Sequence, residues 1–203
     1  MKRLLKLLVV GAPLVLMLAQ ARPAEAKLFE VWGQVHTGYG YGTGNGDNDF
    51  YRWVRGAVVG GEVGVKILFF GVFIDYAHYL GGDNDADLLT FNLMLFNWNI
   101  ELSDSWSLGL RVAGGYYHGI LPDSSTIVID NVEVDQVNTR GIGARAGLDL
   151  RYSFSKVFGI GITAQPGIHY FLGGVDESVT DTVENSFGFD LTALAYFRLG
   201  LGF

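Results

Sequence analysis

The 203-residue chain contains no cysteine, so neither a disulfide nor an acylated lipoprotein thiol is available to it. Basic residues are scarce. Fourteen Lys and Arg stand against 21 Asp and Glu, a net charge of −7, which excludes the clustered cations that nucleic acid requires. After residue 26 no stretch is both long and uncharged enough for a transmembrane helix; the nearest, Val58 to Leu80, is interrupted by Glu62, Lys66 and Asp75. Catalytic arrangements are missing too. There is no G-x-S-x-G elbow, and none of His36, His78, His118 and His169 is followed two residues on by serine. These histidines read as solvated or hydrogen-bonded groups at strand tops, and no enzymatic activity or catalytic residue is expected. Asp47-Asn48-Asp49 and Asp83-Asn84-Asp85-Ala86-Asp87 offer oxygen ligands, but neither fits the twelve-residue calcium loop, so no metal is expected. Gly40, Gly42, Gly44 and Gly46 precede no helix and form no phosphate cradle, and no cofactor is implied.

What is present begins with a secretory signal over residues 1–26. Lys2, Arg3 and Lys6 form a basic start, Leu7 to Ala19 an apolar core too short to span a bilayer, and Ala24-Glu25-Ala26 a cleavage site. The mature chain then runs from Lys27 to Phe203 as one domain. It keeps 10 of the 14 basic and 20 of the 21 acidic residues, a net charge of −10.

Period-two alternation dominates this domain, most clearly at its end. Phe187, Phe189, Leu191, Ala193, Ala195, Phe197, Leu199, Leu201 and Phe203 occupy every second position, with Asp190 and Arg198 between them. An ordinary amphipathic edge strand could read this way. Seven further strands show the same alternation: about Leu28 to Tyr41, Arg52 to Lys66, Phe69 to Leu80, Leu89 to Leu102, Trp106 to Tyr117, Ile142 to Tyr152 and Phe158 to Tyr170. In the fourth, apolar residues switch from odd positions through Leu95 to even positions from Phe96, which predicts a β-bulge there. The turn near Ile67-Leu68 lacks Gly, Pro, Asn or Asp, and Pro166 predicts a local irregularity in the seventh strand.

A final alternating strand ending on phenylalanine resembles the C-terminal signature of bacterial outer-membrane β-barrel proteins. The whole mature chain is similar in pattern to the small-barrel family that includes the transmembrane domain of outer membrane protein A. Connections one, three, five and seven are long and acidic, whereas two, four and six are short. An all-β, eight-stranded antiparallel up-and-down transmembrane barrel is expected, with both termini periplasmic. A soluble barrel would hide its apolar residues inside, and here the charges share a face with glycine. Tyr39, Tyr41, Tyr76, Tyr116 and Tyr170 would form an upper aromatic girdle, with Trp106, Tyr152 and Phe158 as the lower. His118 to Arg140 would protrude as the largest loop and contain a small hairpin. The resemblance implies that Phe197, Leu199, Leu201 and Phe203 are read by the barrel-assembly machinery, and that the partners are outer-membrane lipid and lipopolysaccharide around a monomer.

The external connections hold 13 of the 20 mature carboxylates: Asp47, Asp49, Asp83, Asp85, Asp87, Asp123, Asp130, Glu133, Asp135, Asp176, Glu177, Asp181 and Glu184. A structural or surface-interaction role through this acidic rim follows, with a narrow pore or conduit for small apolar molecules, or a lipid-modifying enzyme, as alternatives. Inside, Glu30, Glu62, Asp75, Asp149 and Asp190 face Lys66, Arg111, Arg145, Arg151 and Arg198. Counting up from the short turns puts Glu62, Asp75, Arg111, Arg145 and Arg198 in one layer, where the three arginines should bridge the two carboxylates and close the lumen.

Overall fold

Alternating side chains need two different environments, and a sheet closed on itself supplies them: one face enclosed, the other facing out. The computed structural model describes residues 22–23, 28–44, 55–68, 70–80, 85–121, 127–129, 132–134, 137–172 and 186–202. Eight long strands carry the fold: β1 (Phe29–Gly44), β2 (Arg55–Ile67), β3 (Phe70–Leu80), β4 (Ala86–Glu101), β5 (Trp106–Leu121), β6 (Val137–Ser153), β7 (Phe158–Leu172) and β8 (Ser186–Gly202). Each pairs antiparallel with the next, and β8 pairs with β1 from Gly188↔Gly44 to Gly202↔Glu30. The fold is an all-β, closed eight-stranded antiparallel up-and-down barrel. Arg22–Pro23 form a two-residue strand against Ile100 and Glu101; the rest of the expected signal segment lies outside the described residues.

The short connections have local causes. After β4, the Ser103 Oγ accepts hydrogen bonds from the Trp106 and Ser105 backbone N–H groups at 3.1 and 3.4 Å; after β6, Ser155 Oγ does the same for Phe158 and Val157 at 2.9 and 3.2 Å. Both turns use a serine hydroxyl to satisfy the donors that open the next strand. The β2–β3 turn, lacking such residues, places Leu68 at φ 55°, a left-handed conformation unusual for a branched side chain. Its N–H is tied back to Leu28 O at 2.9 Å.

The bulge falls where the alternation breaks: the β4–β5 register shifts between Met94 and Phe96, and Leu95 and Phe96 both face outward. At Pro166 the β6–β7 ladder skips from Ala164↔Leu148 to Gly167↔Arg145 without a change of register, in keeping with the missing proline donor. Two expected boundaries are corrected. His118 to Arg140 is not wholly a loop, because the β5–β6 ladder runs on from His118↔Arg140 to Leu121↔Val137. A hairpin of Ile127–Ile129 with Val132–Val134 lies within what remains. Asp87 belongs to β4 rather than to the acidic connection before it.

The outer wall is apolar. Val35, Val63, Phe70, Val72, Leu148, Ile162 and Leu191 are among the large side chains left exposed on it. So wide an exposed apolar surface has no place in water. At the lower rim, Trp106 lies 5.1 Å from Tyr152 and Phe158 lies 5.9 Å from Phe197, ring centre to ring centre. At the upper rim, Phe91, Tyr116, Ile142 and Tyr170 follow one another around the barrel by register.

Candidate functional site: the charged lumen

Every second residue of each strand points inward, so the lumen collects the polar members of the alternation: Glu30, Gln34, His36, Glu62, Lys66, Asp75, Thr90, Asn92, Thr163, Gln165, His169, Asp190 and Thr192 are buried. Charges in so narrow an interior must be paired, and they are arranged in tiers.

At the short-turn end, Glu30 of β1 lies between Lys66 Nζ of β2 at 3.0 Å and Arg198 of β8 at 2.7 Å. The Arg198 guanidinium stands 5.0 Å from the centre of the Trp32 ring. Above this, Glu62 Oε1 accepts hydrogen bonds from Trp32 Nε1 and from Arg111, both at 2.7 Å. Arg111 lies over Phe73, 4.7 Å from the ring centre. Asp75 pairs with Arg145 at 2.9 Å, and Arg145 Nε donates to the Tyr117 hydroxyl at 3.1 Å. His36 Nε2 is 3.8 Å from the other Asp75 oxygen. Along one side, Arg151 pairs with Asp149 at 3.0 Å, and the Tyr196 hydroxyl donates to the same carboxylate. At the upper level His169 contacts Asp190, Thr192 donates to Asp190 at 3.2 Å, and Tyr117 meets the His169 ring edge-on at 4.6 Å.

Glycine makes these crossings possible. A Cβ at Gly143 would lie 2.8 Å from both the His169 and Tyr117 rings, and one at Gly40 would lie 2.6 Å from Tyr79. Val58, Tyr79, Ala86, Tyr117 and Phe171 fill the upper lumen and are almost fully buried. In the lower half there remains a cavity of about 40 Å³ lined by Glu30, Gln34, Asn97, Asn99, Arg111 and Gln165 among others, room for roughly three waters.

Of the five residues expected to share one layer, the structure joins Glu62 with Arg111 and Asp75 with Arg145. Arg198 does not bridge either carboxylate; it is corrected to the Glu30 tier, because strand tilt carries β8 past β1 and sets Arg198 opposite Gln34, with Glu30 farther down. Of the histidines expected to be solvated or hydrogen-bonded at strand tops, His36 and His169 are buried in the lumen and not solvated, His169 hydrogen-bonded to Asp190 at the upper level and His36 lower, beside Asp75. Position parity shows that both point inward; only the register sets Gly167, two residues before His169, opposite Asp190. The polar ends of Trp32, Tyr117 and Tyr196 were not foreseen as partners of the charges. Phe197, Leu199 and Leu201 of the terminal signature face outward, and Phe203 lies outside the described residues.

No family model and no curated protein matches the chain. The chain is similar in fold to several solved structures of small outer-membrane barrels. The N-terminal β-barrel domain of Pseudomonas aeruginosa OprF is 14% identical, with 89% of this chain and 100% of that one covered and a TM-score of 0.44. Neisserial surface protein A is 13% identical over 84% of this chain and 96% of that one, with a TM-score of 0.47. The outer membrane protein OprG from Pseudomonas aeruginosa is 9% identical over 87% and 96%, with a TM-score of 0.43. The likeness is one of fold.

Proposed function

We propose that this chain is an integral barrel of the bacterial outer membrane, non-enzymatic, with its lumen closed to ions. Its role is structural or surface-interacting, exercised through the acidic connections at the long-connection end, which faces outward while both termini lie in the periplasm. The observation that carries the reading is the height of the apolar wall. Tyr116 and Ile142 pair in the upper aromatic row, Trp106 and Tyr152 in the lower, ten positions along each strand. At about 3.3 Å per residue and a tilt near 40°, that separation is roughly 25 Å, the height of the apolar band on a bilayer-spanning barrel. Between the two rows Leu108, Leu110, Val112 and Gly114 of β5 and Ala144, Ala146, Leu148 and Leu150 of β6 present no charge.

The tiers of ion pairs and the aromatic fill above them support a closed lumen. His36 and His169 are enclosed among these groups, out of a substrate's reach. Planar-bilayer recording tests this: the reconstituted protein should show no steady conductance. A large, steady conductance would refute the closed lumen and favour the narrow-pore reading, for which the polar lower cavity would be the vestibule.

A further inference from the structure

We infer that His118 of β5 and Arg140 of β6 form a binding site on the outer wall for the phosphate of an anionic lipid headgroup. This rests on the membrane-spanning reading above. The two residues are direct cross-strand partners. Tyr117 and Thr139 beside them are buried in the lumen, whereas Tyr116 and Arg140 are exposed, so both basic side chains stand on the lipid-facing surface. Arg140 thus carries its charge on the outer wall beside an imidazole and not beside a carboxylate. Among the described residues neither forms an ion pair with a carboxylate.

Other basic groups near this rim are already engaged. His78 Nδ1 is 2.7 Å from Asp87, which also accepts the Tyr76 hydroxyl at 2.6 Å. Arg55 donates to Gly42 O at 3.0 Å and lies over the Tyr41 ring at 4.9 Å. Asp87, on the same face of β4 as Leu89, the partner of His118, is therefore held elsewhere.

Depth selects the ligand. Tyr116 and Ile142 face outward one step below the pair, flanked by Phe91 and Tyr170, and the next outward-facing row toward the rim is Tyr76–Leu89–His118–Arg140–Leu172, so the pair stands within the upper aromatic zone. Aromatic belts mark the border of the hydrocarbon, so the basic pair lies where headgroup phosphates begin. A guanidinium binds phosphate through two parallel N–H groups, and an imidazole adds a third donor in either protonation state. The acidic connections beyond this rim would repel a free anion, but an anion anchored in the bilayer is delivered from the side.

The test reconstitutes the protein in nanodiscs of phosphatidylcholine with a minor fraction of phosphatidic acid and measures, by mass spectrometry of the intact complex, which lipid stays bound after release. The unmodified protein should retain phosphatidic acid preferentially. The Arg140→Gln/His118→Gln variant should retain about tenfold less, Arg140→Lys an intermediate amount, and Arg55→Gln as much as the parent. Equal retention by the parent and the double variant would overturn the site. So would displacement of the lipid by inorganic phosphate, which would show a free-ion site instead. Failure of the unmodified protein to enter any nanodisc would instead overturn the membrane reading itself. Should the double variant not fold, unchanged retention by Arg140→Lys and by His118→Gln alone would overturn the site equally.

Discussion

Arg111 reaches across the lumen from β5 to Glu62 on β2 and meets its carboxylate at 2.7 Å, with the Trp32 indole bonded to the same oxygen. Glu62 is 2% exposed, so a partner left behind by its removal has little water to turn to. Glu62→Ala should cost about 3–5 kcal/mol, read as a lower urea midpoint in lipid vesicles. Glu62→Leu combined with Arg111→Met should recover most of that loss, because a matched apolar pair leaves no buried charge. Equal losses in the single and the paired variants would show that the ion pair is not the unit of stability.

The outer wall should tolerate charge by depth. Ala164→Arg, near the middle of β7, should destabilise by about 2–4 kcal/mol, and Leu172→Arg, within the upper aromatic zone, by about 0–1 kcal/mol. Unfolding titrations of both variants in one lipid provide the comparison; similar penalties would contradict the assigned membrane depth.

Deleting Leu95 should leave a folded barrel. Leu95 is the extra residue of the bulge, so its removal makes the alternation of β4 continuous without turning any side chain around. Deleting Val63 instead would reverse the facing of half of β2 and should abolish folding. Heat-dependent gel mobility separates the two outcomes.

Gly143→Val should overpack the upper lumen. The new side chain begins 2.8 Å from the His169 and Tyr117 rings. A loss of about 1–3 kcal/mol is expected, visible as a lower denaturation midpoint.

Much of the fold was legible because facing is written in each strand separately: Trp32, Asp75 and Arg145 on the inner face of their strands, their neighbours Val31, Ile74 and Ala144 on the outer. The bulge was legible for the same reason, as a change of parity between Leu95 and Phe96. Partnership was not, since it depends on how far each strand slides past its neighbour. Arg198 and Glu62 sit at similar counts from their turns, yet the β8–β1 register brings Arg198 to Glu30. Nor did residues 118–140 announce their strand extensions, because Gly119, Asn138 and Thr139 are as common in loops as in the ends of long strands. The histidines show the same limit: parity placed His36 and His169 inside, but nothing local gave their depth.

The seam between β8 and β1 bears on how the molecule comes into being. Glu30 and Arg198 are separated by 168 positions, and Asp75 and Arg145 by 70. Glu62 with Arg111 and Asp75 with Arg145 each join strands three apart, so a sheet of two or three consecutive strands leaves interior arginines or carboxylates without the partner the closed barrel gives them. Contacts so distant along the chain also make closure slow. The interior charges thus tie stability to assembly: a fragment of two or three strands carries unpaired charge on its inner face, and the later strands neutralise it as they pair.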